Sequence, residues 1–103
     1  MEKYFIQTNI TLSEALKALV DVGSKCLIVV DNHKKLLGSL SDGDVRRSIL
    51  KRKKLNFKIL SIYNKTPITI LEKNFSNKLA EKLFLKHLID IIPVIDNNRN
   101  IVK

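Results

Sequence analysis

The sequence predicts a small α/β protein (of the mixed α+β kind) built from two copies of one unit, the second of them incomplete. Three observations lead to this prediction: two helical apolar stripes, two apolar runs that each end in aspartate, and a nearly constant offset between the copies. The stripe in residues 15–20 returns in residues 79–84, and Cys26–Asp31 returns as Ile91–Asp96. A single inserted residue between helix and strand explains the small change in offset.

The first copy opens with a predicted helix. Thr11 and Glu14 have the spacing of a capping box, which satisfies free N–H groups at a helix start, and Gly23 provides a stop. The run Cys26–Val30 is short, apolar and rich in β-branched residues, so it predicts a buried strand, with Leu36–Leu40 as the returning strand of a hairpin. The apolar stripe of the helix consists of Leu12, Ala15, Leu16, Leu19 and Val20.

A second helix is predicted to begin in Ser41-Asp42-Gly43-Asp44, with Val45, Ile49 and Leu50 facing inward. In the second copy, Ile68–Ile70 and Ile91–Ile95 are predicted strands. A proline normally argues against a strand interior, so Pro93 weakens the prediction for residues 91–95. We keep the strand because the corresponding run in the first copy contains no proline. The helix between these strands is predicted to bury Leu79, Ala80, Leu83 and Phe84.

The sequence ends before the second copy can repeat the segment from Gly38 to Leu50. We therefore divide the chain into a first unit with its charged connection, residues 1–57, and a second, incomplete unit, residues 58–103. The second unit is expected to open with a short helical turn within residues 58–65, before the break at Thr66-Pro67.

Composition narrows the class of protein. The chain of 103 residues has no apolar run long enough to span a membrane, so a soluble cytoplasmic protein is expected. Its one cysteine, Cys26, cannot form an internal disulfide, and neither histidine has the spacing of a metal ligand. The net charge of +9 would attract phosphates, nucleotides or nucleic acid. Nucleic acid is the less favoured partner, because the six aromatic residues do not alternate with basic ones.

The order of elements, with an apolar strand ending in Asp and then Gly-x-x-Ser-x-x-Asp, resembles a tandem pair of CBS domains, the βαββα module of cystathionine β-synthase. The resembling segments are Leu27–Asp31, Leu37–Arg47 and Ile91–Asp96. The string from Ser41 to Arg47 is also similar to CBS modules fused to bacterial sugar-phosphate enzymes. Because the pair begins at Met1, resemblance to the N-terminal module of sugar-1-phosphate nucleotidyltransferases is favoured over that of arabinose-5-phosphate isomerases.

The resemblance implies a regulatory module without a catalytic site of its own. It would bind an adenine nucleotide (AMP, ADP, ATP or S-adenosylmethionine), report its occupancy to an attached catalytic domain, and form a homodimer. Asp44 would accept hydrogen bonds from the ribose hydroxyls, and Ser41 would contact ribose or phosphate. Local chemistry agrees, because both residues straddle a helix N-terminus, where free N–H groups and the helix dipole favour an anion.

The remaining contacts implied by the resemblance come from both copies. Gly43 would let the ligand approach the backbone, and Arg46 or Arg47 would offer a guanidinium to phosphate oxygens. Adenine would stack near Leu27 and Ile28. The full set of expected ligand contacts is Leu27, Ile28, Ser41, Gly43, Asp44, Arg46, Arg47, Pro93 and Val94.

Other interpretations remain open. Ser41 and Asp44 have the spacing of a plain capping box, so the chain could be an interaction or dimerisation module that binds no ligand. Asp42 and Asp44 could hold Mg²⁺ beside a nucleotide, which is the weaker idea. Cys26 at the start of a buried strand is expected to be a small hydrophobe rather than a nucleophile, since no base is placed to activate it.

Overall fold

A β-hairpin forms the centre of the first half of the chain, and helices cover one of its faces. The structure is a computed structural model that describes residues 2–87 and 89–102, so Met1 and Lys103, the outer limits of the two predicted units, lie outside it. The mixed α/β class is confirmed, and the described residues form three α-helices and two sheets. The elements are β1 (Phe5–Ile6), α1 (Leu12–Val22), β2 (Cys26–Val30), β3 (Leu36–Ser41), α2 (Asp42–Leu50), β4 (Ile70–Leu71), α3 (Asn77–His87) and β5 (Val94–Ile95).

The first sheet has the order β1-β2-β3, with β1 parallel and β3 antiparallel to β2. Because successive side chains of a strand point to opposite faces, β2 contributes to two separate cores. Leu27 and Val29 pack under α1 and α2, whereas Ile28 and Val30 pack against Ile95 of the second half. The two-residue strand β1 was not predicted from the residues, since it is too short to show a period.

Helix α1 has the predicted boundaries. The Oγ1 of Thr11 accepts a hydrogen bond from the amide of Glu14 (3.1 Å), and Glu14 Oε1 accepts from the amide of Thr11 (3.0 Å). Gly23 ends the helix in the left-handed conformation (φ 65°), as expected of a glycine stop. The predicted stripe is buried at Leu12, Ala15 and Leu19, but the prediction for Val20 was wrong, because it is 78% exposed.

Helix α2 also begins at its predicted capping box, but its inward face differs from the predicted one. Val45 is buried as expected, whereas Ile49 and Leu50 are exposed. Ser48 is buried instead, and its hydroxyl donates to the carbonyl of Asp44 (3.1 Å). A serine can occupy this inward position because the helix backbone itself satisfies its hydroxyl.

The second sheet is smaller than the sequence predicts. Strand β4 covers Ile70–Leu71 rather than Ile68–Ile70, and β5 covers only the last two residues of the predicted run from 91 to 95. Pro93 lies just before β5, where its missing N–H is harmless, and its carbonyl accepts from the amide of Ile70 (3.1 Å).

Helix α3 begins where Ser76 Oγ accepts a hydrogen bond from the amide of Leu79 (3.0 Å). Its predicted stripe is incompletely covered: Leu79, Ala80 and Leu83 are half-buried, and Phe84 is exposed. Every residue of α3, all within the described range, is at least partly accessible to solvent. Among the described residues, no helix combines the length and the apolar character needed to cross a bilayer.

An aspartate turn joins β2 to β3. Asp31 Oδ1 accepts from the amides of His33 (2.8 Å) and Lys35 (2.9 Å), and Lys34 adopts a positive φ of 62°. The hydrogen bond from the Lys35 amide is the main cause of a lowered pKa at Asp31. The carboxylate therefore organises this turn in its ionised form.

The second half contains the same turn, as the repeat predicts. Asp96 Oδ1 accepts from the amides of Asn98 and Asn100, both at 2.9 Å, and Arg99 has a φ of 65°. Here the side-chain amide of Asn100 is the largest cause of a lowered pKa at Asp96. The two hydrogen bonds that Asp31 accepts from backbone amides thus have exact counterparts at Asp96.

The two turns meet each other and join the halves of the chain. Lys35 and Asn100 form an isolated antiparallel bridge. The amide of Leu36 donates to the carbonyl of Arg99 (2.9 Å), and Arg99 Nε donates to the carbonyl of Leu36 (3.0 Å). The copies are therefore held together by backbone as well as by the core around Ile95.

Candidate ligand-binding site

A cleft with a volume of about 710 Å³ lies between the two halves of the chain. The start of α2 and the beginning of β2 form one side of it, and residues 64–68 and 89–93 contribute the other. The volume lies within the range of roughly 300–1,000 Å³ that is usual for small-molecule sites.

The start of α2 places a carboxylate at the edge of this cleft. Ser41 Oγ accepts from the amide of Asp44 (3.1 Å), and Asp44 Oδ2 accepts from the amide of Ser41 (2.9 Å). The other oxygen, Oδ1, accepts from Arg47 Nη2 (2.6 Å). The capping box is thus complete, yet each carboxylate oxygen has a second lone pair, and the Asp44 side chain remains 16% exposed.

Charges of both signs line the cleft. Lys25 and Arg47 supply positive charge, while Asp42, Asp44 and Asp90 supply negative charge. Three carboxylates against two cations do not attract an anion by net charge. A phosphate here would therefore depend on the N-terminus of α2 and on Arg47 rather than on the overall charge of +9.

The structure brings together five of the nine predicted contact residues. The lining of the cleft includes Ser41, Gly43, Asp44, Arg47 and Pro93.

The other four predicted contacts lie elsewhere. Leu27 and Val94 are buried in the protein interior, and Arg46 pairs with Asp42 (2.8 Å) with its side chain exposed. Ile28 lines a separate apolar cavity of about 360 Å³ beside Tyr4. We leave these four out of the proposed site, because none of them lines the main cleft.

Several lining residues were not predicted from the sequence. Thr66, Pro67 and Ile68 at the beginning of the second copy lie across the cleft from α2. Asn64 fixes this segment, because its amide donates to the carbonyl of Ser39 (2.8 Å) and its carbonyl accepts from the amide of Ser39 (2.9 Å). The sequence predicts only that regular structure is interrupted at Thr66-Pro67. The segment lines the cleft because the two copies contact each other in the folded chain.

The arrangement offers little to a metal ion. Among residues 2–87 and 89–102, no group of three or more His, Cys, Asp or Glu is placed to hold one. The carboxylates of Asp42 and Asp44 are engaged with Arg46 and Arg47 respectively. The structure gives the Mg²⁺ hypothesis no geometric support.

Cys26 lines the cleft but is a poor nucleophile. Burial, followed by the negative charges of Asp44 and Asp90, raises the pKa of its thiol to about 11.

We expect iodoacetamide to alkylate native Cys26 at pH 8 about a hundredfold more slowly than in urea, because the thiolate is the reacting form. The native rate should keep rising up to pH 10, whereas the rate in urea should level off near pH 9. Mass spectrometry measures both rates of alkylation. Equal rates at pH 8 for the native protein and the protein in urea would contradict this prediction.

Comparison with known families agrees with this fold. Residues 2–51 match the family model of the CBS domain. The whole chain has the fold of a CBS domain pair. It aligns with the CBS domain pair of protein MJ0100, in complex with 5'-methylthioadenosine and S-adenosyl-L-methionine, with a TM-score of 0.78 and 28% identity, covering 95% of this chain and 76% of that one.

A second solved structure supports the fold alone. The CBS domain protein PAE2072 from Pyrobaculum aerophilum, complexed with AMP, aligns with a TM-score of 0.79 at 23% identity. The alignment covers 95% of this chain and 75% of that protein.

Curated relatives are much longer proteins. The chain is 32% identical over 95 residues to L-aspartate semialdehyde sulfurtransferase of Methanocaldococcus jannaschii, which covers 92% of this chain and 18% of that protein. It is also 32% identical over 94 residues to homoserine O-acetyltransferase of Methanococcus vannielii, covering 90% of this chain and 19% of the relative. The chain thus spans less than a fifth of the length of these relatives.

Proposed function

We propose that the chain is a regulatory module that binds an adenine nucleotide in the cleft between its two halves. The observation that carries the proposal is the position of Ser41–Asp44, at a helix N-terminus that opens onto a cleft of ligand size. The two adenosine compounds held by MJ0100, 5'-methylthioadenosine and S-adenosyl-L-methionine, support the choice of ligand class.

Each wall of the cleft has a suitable chemistry for one part of such a ligand. Asp44 can accept hydrogen bonds from the ribose hydroxyls through its remaining lone pairs, and the N-terminus of α2 favours a phosphate. Ile68 and Pro93 provide apolar surface for the base. Arg47, already oriented by Asp44, can turn part of its guanidinium to phosphate oxygens.

Regulation follows from the origin of the walls. Because one wall belongs to the first copy and the other to the second, a ligand that contacts both favours one relative arrangement of the copies. We propose that an attached catalytic domain senses this arrangement and that the chain forms homodimers. Val20 and Leu50, apolar and largely exposed on the neighbouring helices α1 and α2, support association.

The reaction of the attached enzyme is a separate question. A sugar-1-phosphate nucleotidyltransferase stays a prediction that rests on the string from Ser41 to Arg47. The two curated relatives named above carry out different reactions, a sulfur transfer and an acetyl transfer.

A module without a ligand is the second candidate, and one observation favours it. Ser41 and Asp44 already satisfy each other, and Arg47 occupies the remaining carboxylate oxygen. In that case the motif only stabilises the start of α2, and the chain serves association between proteins.

Titration calorimetry with AMP, ADP, ATP and S-adenosylmethionine separates the two candidates. At least one of these ligands should bind saturably, and Asp44→Ala should weaken it more than tenfold, because a charge-assisted hydrogen bond contributes about 1.5–3 kcal/mol. The first half of the chain offers a matched control, since Glu14 completes the same kind of capping box in α1, away from the cleft.

Glu14→Ala should lower the stability of the protein about as much as Asp44→Ala does, but it should leave the affinity for the ligand within twofold of the unsubstituted chain. Absence of binding at millimolar concentrations, or an equal loss in both variants, would contradict the proposed nucleotide site and favour the ligand-free module.

A further inference from the structure

A second, smaller cavity adjoins the main cleft along α2. Its volume is about 390 Å³, and Asp44 and Arg47 line both spaces. The other lining residues come from the end of α2, from the connection that follows it, and from the short helical turn at Ile59–Ser61. A ligand anchored at Asp44 can therefore extend past Arg47 without leaving the surface of the protein.

This second cavity is basic, unlike the main cleft. Arg47, Lys51 and Lys53 contribute three positive charges, and the carboxylate of Asp44 among its lining is already paired with Arg47. The C-terminal end of α2 adds about half a negative charge from the helix dipole, which the net two positive charges of the lining outweigh. Ser61 and Ser48 also line the cavity.

The backbone holds these cations in place. The amide of Lys51 donates to the carbonyl of Arg47 (3.0 Å), which continues the helical turn. Arg52 has a positive φ of 65°, so the chain reverses, and the amide of Lys53 donates back to the carbonyl of Ser48 (3.0 Å).

The ammonium group of Lys53 is also held by an aromatic ring. Its Nζ lies 4.7 Å from the centre of the Phe57 ring, a cation–π distance that limits the freedom of this side chain. Residues 51–54 form a basic run, Lys-Arg-Lys-Lys, in which Lys54 is exposed and does not line the cavity. Lys51 and Lys53 thus line the cavity, whereas Arg52 and Lys54 do not.

We propose that this basic cavity receives the phosphate chain of the bound nucleotide, so that the site prefers ADP and ATP to AMP. The inference rests on the proposed function, because it places the ribose at Asp44. At a rise of 1.5 Å per residue, Lys51 lies about 10 Å along the axis from Asp44. A di- or triphosphate can approach that distance with the help of the lysine side chains, whereas a monophosphate stays near Arg47.

The test compares ligands that differ only in the number of phosphates. Calorimetric titration of the full chain with AMP, ADP, ATP and inorganic tripolyphosphate should show ATP binding at least tenfold more tightly than AMP. The double variant Lys51→Gln/Lys53→Gln should lose at least tenfold in ATP affinity while AMP affinity changes less than twofold. Lys54→Gln is the matched control and should leave both affinities unchanged.

The outcomes distinguish this inference from the proposed function. If AMP or S-adenosylmethionine binds as tightly as ATP, or the double variant weakens AMP and ATP equally, the basic cavity does not hold phosphates although the nucleotide site stands. If no nucleotide binds, both are overturned. Tripolyphosphate binding as tightly as ATP would overturn the inference too, because a simple anion site would then explain the result.

Discussion

Replacing Gly38 with alanine is expected to lower the free energy of unfolding by about 3 kcal/mol, the upper part of the usual cost of overpacking. A Cβ at this position would overlap the backbone oxygen of Asn64 and lie 2.7 Å from the Tyr63 ring. The strand cannot easily move away, because Ser39 and Asn64 exchange two backbone hydrogen bonds beside it.

Urea denaturation followed by circular dichroism measures this effect, and Gly43→Ala provides the comparison. A Cβ at Gly43 would meet the flexible end of Arg47 at 3.3 Å, and the residue lies in the first turn of α2. Alanine there should change stability by less than about 1 kcal/mol, since it is the better helix former. Similar stabilities for the two variants would show that the segment around Asn64 can move aside.

Ile59→Ala is expected to lower the free energy of unfolding by about 3 kcal/mol, because the smaller side chain leaves a cavity in the closed core. Ile59 is fully buried among the side chains beneath α1 and α2, and its amide donates to the carbonyl of Ile10 (3.0 Å). The residue lies beyond the predicted limit of the first unit at residue 57, yet it completes that unit's core. A fragment that ends at residue 57 would lack it.

Leu60→Ala is the control for this variant, because the neighbouring leucine is 58% exposed. It should change stability by less than about 0.5 kcal/mol, as surface substitutions usually do. Thermal unfolding of both variants at equal concentration compares them directly. A loss at Leu60 as large as that at Ile59 would mean that the exposed leucine is covered in solution, for instance in a dimer.

Local chemistry predicts the helix boundaries of the first half well. Thr11 with Glu14, Ser41 with Asp44, and Gly23 each specify a start or a stop through hydrogen bonds or backbone freedom within a few residues. Such features depend on nothing distant in the chain, so the sequence contains all of the necessary information.

Burial of individual side chains is predicted less well, because it depends on what covers each helix. Val20 follows Leu19 by about 100° around α1, and the sheet covers only one side of that helix. Ile49 is exposed for the same reason, while Ser48 occupies an inward position that hydropathy does not assign to serine. Short strands such as β1 and β4 carry too few residues to show a period.

The candidate site shows the same division between local and distant information. Ser41, Gly43 and Asp44 could be predicted because one continuous motif contains them. Thr66 and Ile68 could not, since they come to the cleft only through the contact of Asn64 with Ser39. Leu27 does not line the cleft, because the face of β2 that carries it belongs to the core.

The paired aspartate turns also suggest how the copies could diverge after a duplication. Each turn depends chiefly on one carboxylate, Asp31 or Asp96, which accepts hydrogen bonds from backbone amides two and four residues later. The copies share the following asparagine, then differ, with His-Lys-Lys in one and Asn-Arg-Asn in the other. His33 and Asn98 can therefore differ between the copies without loss of the turn, whereas Arg99 also donates from its side chain to the carbonyl of Leu36 and helps to join the halves.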